Sequence, residues 1–409
     1  MRNGNRVAVL LLSASAFEVT TDKRVAPNDP YFRYQISFTN PGGLIKIPNY
    51  SFRSSFESYT TLKGLDHNVQ LAWAITTGSR QTVVAILDDG FFYEHEDLKD
   101  NIWHNPGETG VDASGHRKET NGLDDDGDGY IDDVVGWDFA FNDPDPDPYV
   151  FDGMDPSRIQ PYNHGNTALG IIGAKGNNGI GIAGVNWNVA MMLLKIGAQG
   201  IRRGDADLMK TDRAVEAIHF AVDHGARVIN WSGYVDDHRP EKIARLRSAI
   251  QYAGRHGVLL VLAAGNSMDD LDEDKNCRVY PQCFDEPNML LVGEVGFDGG
   301  LIAFSGRDHI SGSNYGHRRV QVAAIGANFS TSMSNGISTY RLAGGTSNAA
   351  PIVTGIAALM LSIRPQLQAP ELKRILIQTS RPLPKLRDKI ASGGLVDAYA
   401  AVSATKQMN

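Results

Sequence analysis

Three short stretches of the sequence hold the side-chain types of acyl-transfer chemistry, in one order along the chain: Asp88 in VVAILDDG, His164 in NHGNTALGIIGA and Ser347 in GGTSNAAP. A serine hydroxyl attacks a carbonyl only as it loses its proton. A neutral imidazole, with a pKa near ~6.5, is the side chain suited to accept that proton at neutral pH. A carboxylate at Asp88 would hold the His164 ring in the productive tautomer and stabilise the imidazolium that forms. Asn266, in VLAAGN, can donate its amide to the oxyanion of a tetrahedral intermediate. The backbone N–H of Ser347, where a helical pattern starts, is the natural second donor. Pro351 fits this reading if it lies in the first helical turn, which needs no N–H there. Each residue alone has a plainer role: packing for a serine among small residues, capping for a histidine, turning for an asparagine. Four of them in register favour the nucleophile.

Groups so far apart in sequence meet only if a fold brings them together, and the apolar pattern points to one. TVVAIL, VAMMLLKI, ARVINW, GVLLVLAAG, NMLLVGEV and RVQVAAIG are short runs of the kind buried on both faces of a parallel sheet. Helical patterns such as LMKTDRAVEAIHFAVDHG and RPEKIARLRSAIQYAGRHG lie between them, each ending on glycine. This alternation predicts an α/β fold, a three-layer αβα sandwich with a mostly parallel doubly wound sheet. Ligands sit at the carboxyl ends of such strands, where Asp88 and Asn266 fall. The expected organisation is an N-terminal arm over 17–65 and one catalytic domain over 66–403. A long acidic insertion occupies about 100–163, and APELKRILIQTS and GGLVDAYAAVSA are expected as two closing amphipathic helices.

The four segments resemble the signatures of the subtilisin-like serine proteases (subtilases), D-[ST]-G, H-G-T-H-V-A-G, A-A-G-N and G-T-S-x-A-x-P. Here they stand as Asp88-Asp89-Gly90, HGNTALG, Ala263-Ala264-Gly265-Asn266 and GTSNAAP, with HEDL, GIAGVNWN, ARVINWSG and GGLVDA as supporting matches. The resemblance spans roughly residues 60–403. It implies a subtilisin-like fold, an Asp88–His164–Ser347 triad with Asn266 as oxyanion donor, and a protein or peptide substrate held extended beside Ser232, Gly233 and Gly265. Val279, before Tyr280-Pro281, falls where the family floors its primary specificity pocket, and predicts a preference for medium apolar side chains. The departures are specific. Asp89 replaces a small hydroxyl residue, and strand alternation predicts that it points away from Asp88. Asn166 and Thr167 replace threonine and a second histidine. NWSGY replaces the usual N-[ML]-S-L-G, and Ile325 stands where proline is usual. Two rivals share the scaffold: a calcium-dependent binding module without catalysis, and a peptide ligase or macrocyclase. Serine rather than cysteine at 347 disfavours the ligase, and the intact triad disfavours the binding module.

NGLDDDGDGYIDD places Asp124, Asp126, Asp128, Tyr130 and Asp132 at positions 1, 3, 5, 7 and 9 of an EF-hand-like loop, with Gly129 at the sharp turn. Hard oxygen donors at this spacing predict calcium (Ca2+). Val135 stands where the bidentate glutamate belongs, so Asp133 or Glu108 would complete the shell. The plainer alternative is a solvated acidic loop. GIGIAG matches a dinucleotide fingerprint formally, but it follows a helix and precedes a strand, the reverse of the required context.

Composition sets further bounds. The 409 residues include 47 acidic against 39 basic side chains, a net charge of −8 that argues against nucleic acid as a partner. No apolar run reaches the ~20 residues of a membrane span. Residues 1–16 combine Arg2 and Arg6, an apolar stretch and Ala14-Ser15-Ala16, the layout of a secretory signal; a buried strand from Val7 to Leu12 is the alternative. Cys277 and Cys283, the two cysteines, suit a small loop disulfide in an exported protein, or otherwise two thiols. Together these predict a secreted monomer.

Overall fold

The computed structural model describes residues 23–49, 55–148, 164–197, 210–235, 239–273, 275, 279–305, 310–334 and 336–408. The leader and cleavage site expected at 1–16, and Cys277, lie outside these residues. Three antiparallel hairpins flank a main sheet: β1 (Gly43–Asn49) with β2 (Ser55–Thr61), β9 (Ala303–Ser305) with β10 (Ile310–Gly312), and β12 (Asn328–Ser334) with β13 (Ile337–Ala343). The main sheet comprises β3 (Gly78–Asp88), β4 (Gly136–Asp138), β5 (Asn188–Lys195), β6 (Val228–Trp231), β7 (Leu259–Ala263), β8 (Met289–Val295), β11 (Val322–Ile325), β14 (Arg381–Pro382) and β15 (Gly394–Leu395). Its nine strands run in the order β14-β15-β11-β8-β7-β6-β3-β5-β4, parallel throughout except β14 against β15.

The central strands are buried along nearly their whole length, because helices cover both faces and leave no side for polar residues. After α1 (Val69–Ala72), the helices are α2 (His164–Gly173), α3 (Thr211–Asp223), α4 (Pro240–Arg255), α5 (Thr346–Ile363), α6 (Ala369–Gln378) and α7 (Ala398–Gln407). α5 packs on β3, β6, β7, β8 and β11 with α2 and α7 beside it, while α3 and α4 pair together over β3, β5 and β7. α5 is long and apolar enough to cross a membrane by composition, but 83% of it is buried inside the fold, as a core helix should be.

The short edge strand β4 was not visible in the acidic insertion. It rests on Lys195, whose Nζ meets the buried Asp138 carboxylate at 2.7 Å. GGLVDAYAAVSA, expected as one helix, begins instead as β15, because Leu395 pairs with Ala323 at the sheet edge. Asp397 then caps α7 by accepting from the Ala400 N–H at 2.9 Å. The arm is stitched to the domain. Phe32, Ile36 and Phe38 are buried, and Gln35 makes both amide bonds to Ala183, at 2.7 and 3.0 Å.

Ile325 has a structural partner that proline could not serve. Its N–H donates to His67 Nε2 at 3.1 Å, while Nδ1 lies 2.9 Å from the Val396 carbonyl. The fully buried ring is thus neutral and satisfied at both nitrogens. Burial pushes its pKa down to about 4 from 6.5. The unfolded chain therefore binds the extra proton between those values. The stability this contributes is complete above pH ~6.5 and is lost as pH falls toward 4, on the order of 3 kcal/mol in all. Chemical denaturation between pH 7 and 4.5 should show this loss, and His67→Gln, which keeps one donor and one acceptor, should flatten it. Equal pH slopes for the two proteins would count against this role.

Candidate active site

Asp88 ends β3 with no solvent exposure, and His164 opens α2 beside it. His164 Nδ1 lies 2.8 and 2.9 Å from the two Asp88 oxygens, so Nε2 is left to serve as base. Burial disfavours charge on both partners, but each charge favours the other: the Asp88 pKa is lowered and that of His164 is raised. Gly165 permits this approach, since a Cβ there would sit 2.4 Å from the Gly90 carbonyl.

Ser347 is the second residue of α5, and its hydroxyl donates to the Ser232 carbonyl at 3.2 Å. Transfer of that proton to His164 would first require the hydroxyl to leave the Ser232 carbonyl. Pro351 is not in the first turn as the sequence suggested; it is the sixth residue of α5. Lacking an N–H, it leaves the Ser347 carbonyl without its helical donor. The Ser232 hydroxyl takes that place at 2.9 Å, itself backed by Asn230 and, through Asn230, by Thr354.

The Asn266 amide is oriented by its own oxygen. Oδ1 accepts from both Thr346 N–H and Thr346 hydroxyl, each at 3.0 Å, which fixes the amide plane at an exposed residue beside the start of α5. Gly265, at φ +103, donates its N–H to the same threonine hydroxyl at 3.1 Å. Sequence reasoning missed Asn314, which braces this loop by accepting from Ser267 and Asp269 and donating to the Ala264 carbonyl. It also missed Glu294, a carboxyl pushed up to about 7 by burial, whose Oε1 receives the Gly345 N–H at 2.9 Å. Nothing local in ISGSNYG or VGEVG marks these partners. The segments holding Gly233 and Val279 lie side by side: Val235 and Tyr280 exchange two backbone bonds, and Gln282 Nε2 donates to the Gly233 and Ala263 carbonyls.

Asp89 departs from the expectation. It does not point away from Asp88: carboxylate oxygens of both residues and a ring nitrogen of His164 lie within 4.8 Å of one another. The alternation fails because β3 ends at Asp88 and the chain turns at Gly90, φ +128.

In the acidic loop, Asp124 and Asp126 converge with Glu108, and Asp126 and Asp128 with His224, each trio offering atoms within 4.8 Å. Backbone N–H groups of Gly129 and its neighbours hold the Asp124 pKa down. Burial and surrounding carboxylates push Asp133 up to about 8. Glu108 Oε2 is buried with no hydrogen-bond donor. Asp132 does not join this cluster, because its carboxylate receives the Gly122 N–H across the loop at 3.1 Å. The Tyr130 ring packs on Trp137 and Phe220, and its N–H binds Asp128. A hard cation fits the oxygen set: it would give Glu108 Oε2 a partner and offset the crowded charge. Cys283 is disulfide-bonded.

With this geometry in place, comparison with known proteins identifies the family. The family model "Peptidase_S8: Subtilase family" matches residues 79–400, and the chain belongs to that family. It is 32% identical over 341 residues to subtilisin-like protease 1 of Plasmodium berghei, covering 80% of this chain and 51% of that protein. It is 29% identical to a thermophilic serine proteinase of a Bacillus species, covering 87% of this chain and 70% of that one. The chain thus spans about half the length of the Plasmodium subtilisin-like protease 1 relatives it matches. Among solved structures, a protease from Pseudoalteromonas arctica superposes with TM-score 0.66 at 26% identity, covering 93% of this chain and all of that one.

Removing the Ser232 hydroxyl should leave the Ser347 carbonyl without a donor and cost about 1 kcal/mol. Pro351→Ala added to Ser232→Ala should recover part of that loss, because the alanine restores the helical N–H that proline lacks. Thermal denaturation of the single and double variants reads this; strictly additive losses would contradict it.

Proposed function

We propose that the chain is a secreted serine endopeptidase that hydrolyses peptide bonds through an acyl-enzyme. The observation that carries this reading is the paired Asp88–His164 bond with Ser347 at a helix start and the Asn266 amide fixed through its oxygen by Thr346. An extended substrate pairs with the Ser232–Gly233 backbone. Ser347 Oγ bonds to the scissile carbonyl carbon while its proton passes to His164 Nε2. The oxyanion receives Asn266 Nδ2 and the Ser347 N–H. Collapse breaks the C–N bond, and His164 returns the proton to the departing amine. Water then repeats the sequence on the ester and frees the acid. Asp88 holds the ring and balances the imidazolium throughout.

The name of a relative, an extracellular basic protease of Dichelobacter nodosus that is 27% identical over 408 residues, supports export. Calcium is assigned to Glu108, Asp124, Asp126 and Asp128, where it would tie the insertion to the domain.

Asn266→Ala should lower kcat by about 100- to 1,000-fold with KM little changed, because the amide acts on the transition state. A change confined to KM would overturn that role. Casein hydrolysis that persists in Ser347→Ala would overturn the triad. Calcium at 100 times its Kd should stabilise the fold by about 2.7 kcal/mol relative to chelator, and Asp126→Ala should abolish the difference. A melting temperature indifferent to calcium in the unsubstituted protein would remove the metal assignment.

A further inference from the structure

Asp89 is a carboxylic acid with 3% exposure, both oxygens buried, and no hydrogen-bond donor to either oxygen among the described residues. Its neighbour Asp88 is already committed as an anion, since His164 Nδ1 donates to both of its oxygens. Two carboxylates in contact and out of water cannot both be ionised at modest cost. A proton on Asp89 resolves both problems at once, because it removes the second charge and creates the missing donor, with Asp88 as acceptor.

We propose that Asp89 is a positioning residue of the triad: it holds a proton, donates it to Asp88, and so tempers how strongly Asp88 stabilises the His164 imidazolium. This rests on the protease reading given above. The surroundings agree with a neutral Asp89. Burial and the Asp88 charge push its pKa well above the carboxylate range, against a smaller pull from the Gly165 N–H dipole. On the neighbouring strand, Lys195 stands opposite Asp88 in register, but its ammonium is directed to Asp138 at 2.7 Å and lies 3.9 Å from Asp147. The loop beside Gly90 brings the Asp147 backbone, and Arg341 of β13 lowers the His164 pKa against the pull of Asp88. Among the described residues, no cation meets Asp89 in an ion pair.

The consequence is an acid limit of activity set by Asp89. Its hydrogen bond spreads the Asp88 charge, which keeps the His164 pKa below the value an unshared Asp88 would give. Loss of the Asp89 proton at alkaline pH leaves His164 neutral, so the general base persists there and the influence of Asp89 falls on the acid limb. The three groups then titrate as a set.

The test compares the full-length protein with Asp89→Asn and Asp89→Ala, using fluorescent casein at low concentration from pH 5 to 10. Asn keeps a neutral donor, so its acid limb should coincide with that of the unsubstituted protein. Ala removes the donor, and its acid limb should move up by about 0.5–1 pH unit. Histidine NMR titrations of the same three proteins in a Ser347→Ala background read the His164 pKa without any turnover. If no protein cleaves casein, the protease reading fails while the NMR series still decides the proton on Asp89. Superimposable His164 titrations in all three would overturn the proposal, as would an Asn variant that shifts as far as Ala.

Discussion

Taking a carboxylate wholly out of water costs several kcal/mol unless donors and an opposite charge replace the lost hydration. Asp88 is placed in that condition at the end of the central strand, and the two bonds from His164 Nδ1 are what make it tenable. Much of the surrounding architecture serves this contact. β3 must deliver Asp88 to the carboxyl edge of the sheet, and α2 must begin at His164. The Gly165 backbone must approach the Gly90 carbonyl, and Gly90 the Asp147 carbonyl, too closely for a side chain on either glycine. The same burial that makes the bond costly keeps it strong, because little water competes for either partner.

The nucleophile end obeys a different constraint. α5 is buried through the middle of the fold, so its first turn cannot leave polar groups unserved. Pro351 creates one such group at the Ser347 carbonyl, and Ser232 answers it from the residue after β6. Thr346 fixes Asn266 by the same economy of donors. The start of α5, the end of β6 and the Asn266 loop are thereby tied into one unit, which is the preorganisation that the proposed transition-state stabilisation would require.

Asp88, His164, Asn266 and Ser347 were legible in the sequence because each sits in a short motif whose local pattern determines its element. The parallel sheet was legible because strands buried on both faces leave long apolar runs. What escaped depends on contacts between distant segments. His67 and Ile325 are 258 residues apart, so the reason for isoleucine over proline appears only when they meet. Asn314 and Glu294 are ordinary polar residues until the fold sets them against the oxyanion loop and Gly345. β4 holds three residues and depends on Lys195 from another strand. Asp89 was misplaced because a period of two applies only while a strand continues, and β3 stops one residue earlier. Pro351 was misplaced because the helix boundary lies five residues before it.

The central claim is that this geometry activates one serine. Treating the folded protein with a fluorophosphonate and mapping the adduct by mass spectrometry tests that claim most directly. The account predicts modification at Ser347 that is lost in His164→Ala. Modification spread over several surface hydroxyls, or equal labelling of Ser347 in the His164→Ala protein, would contradict it.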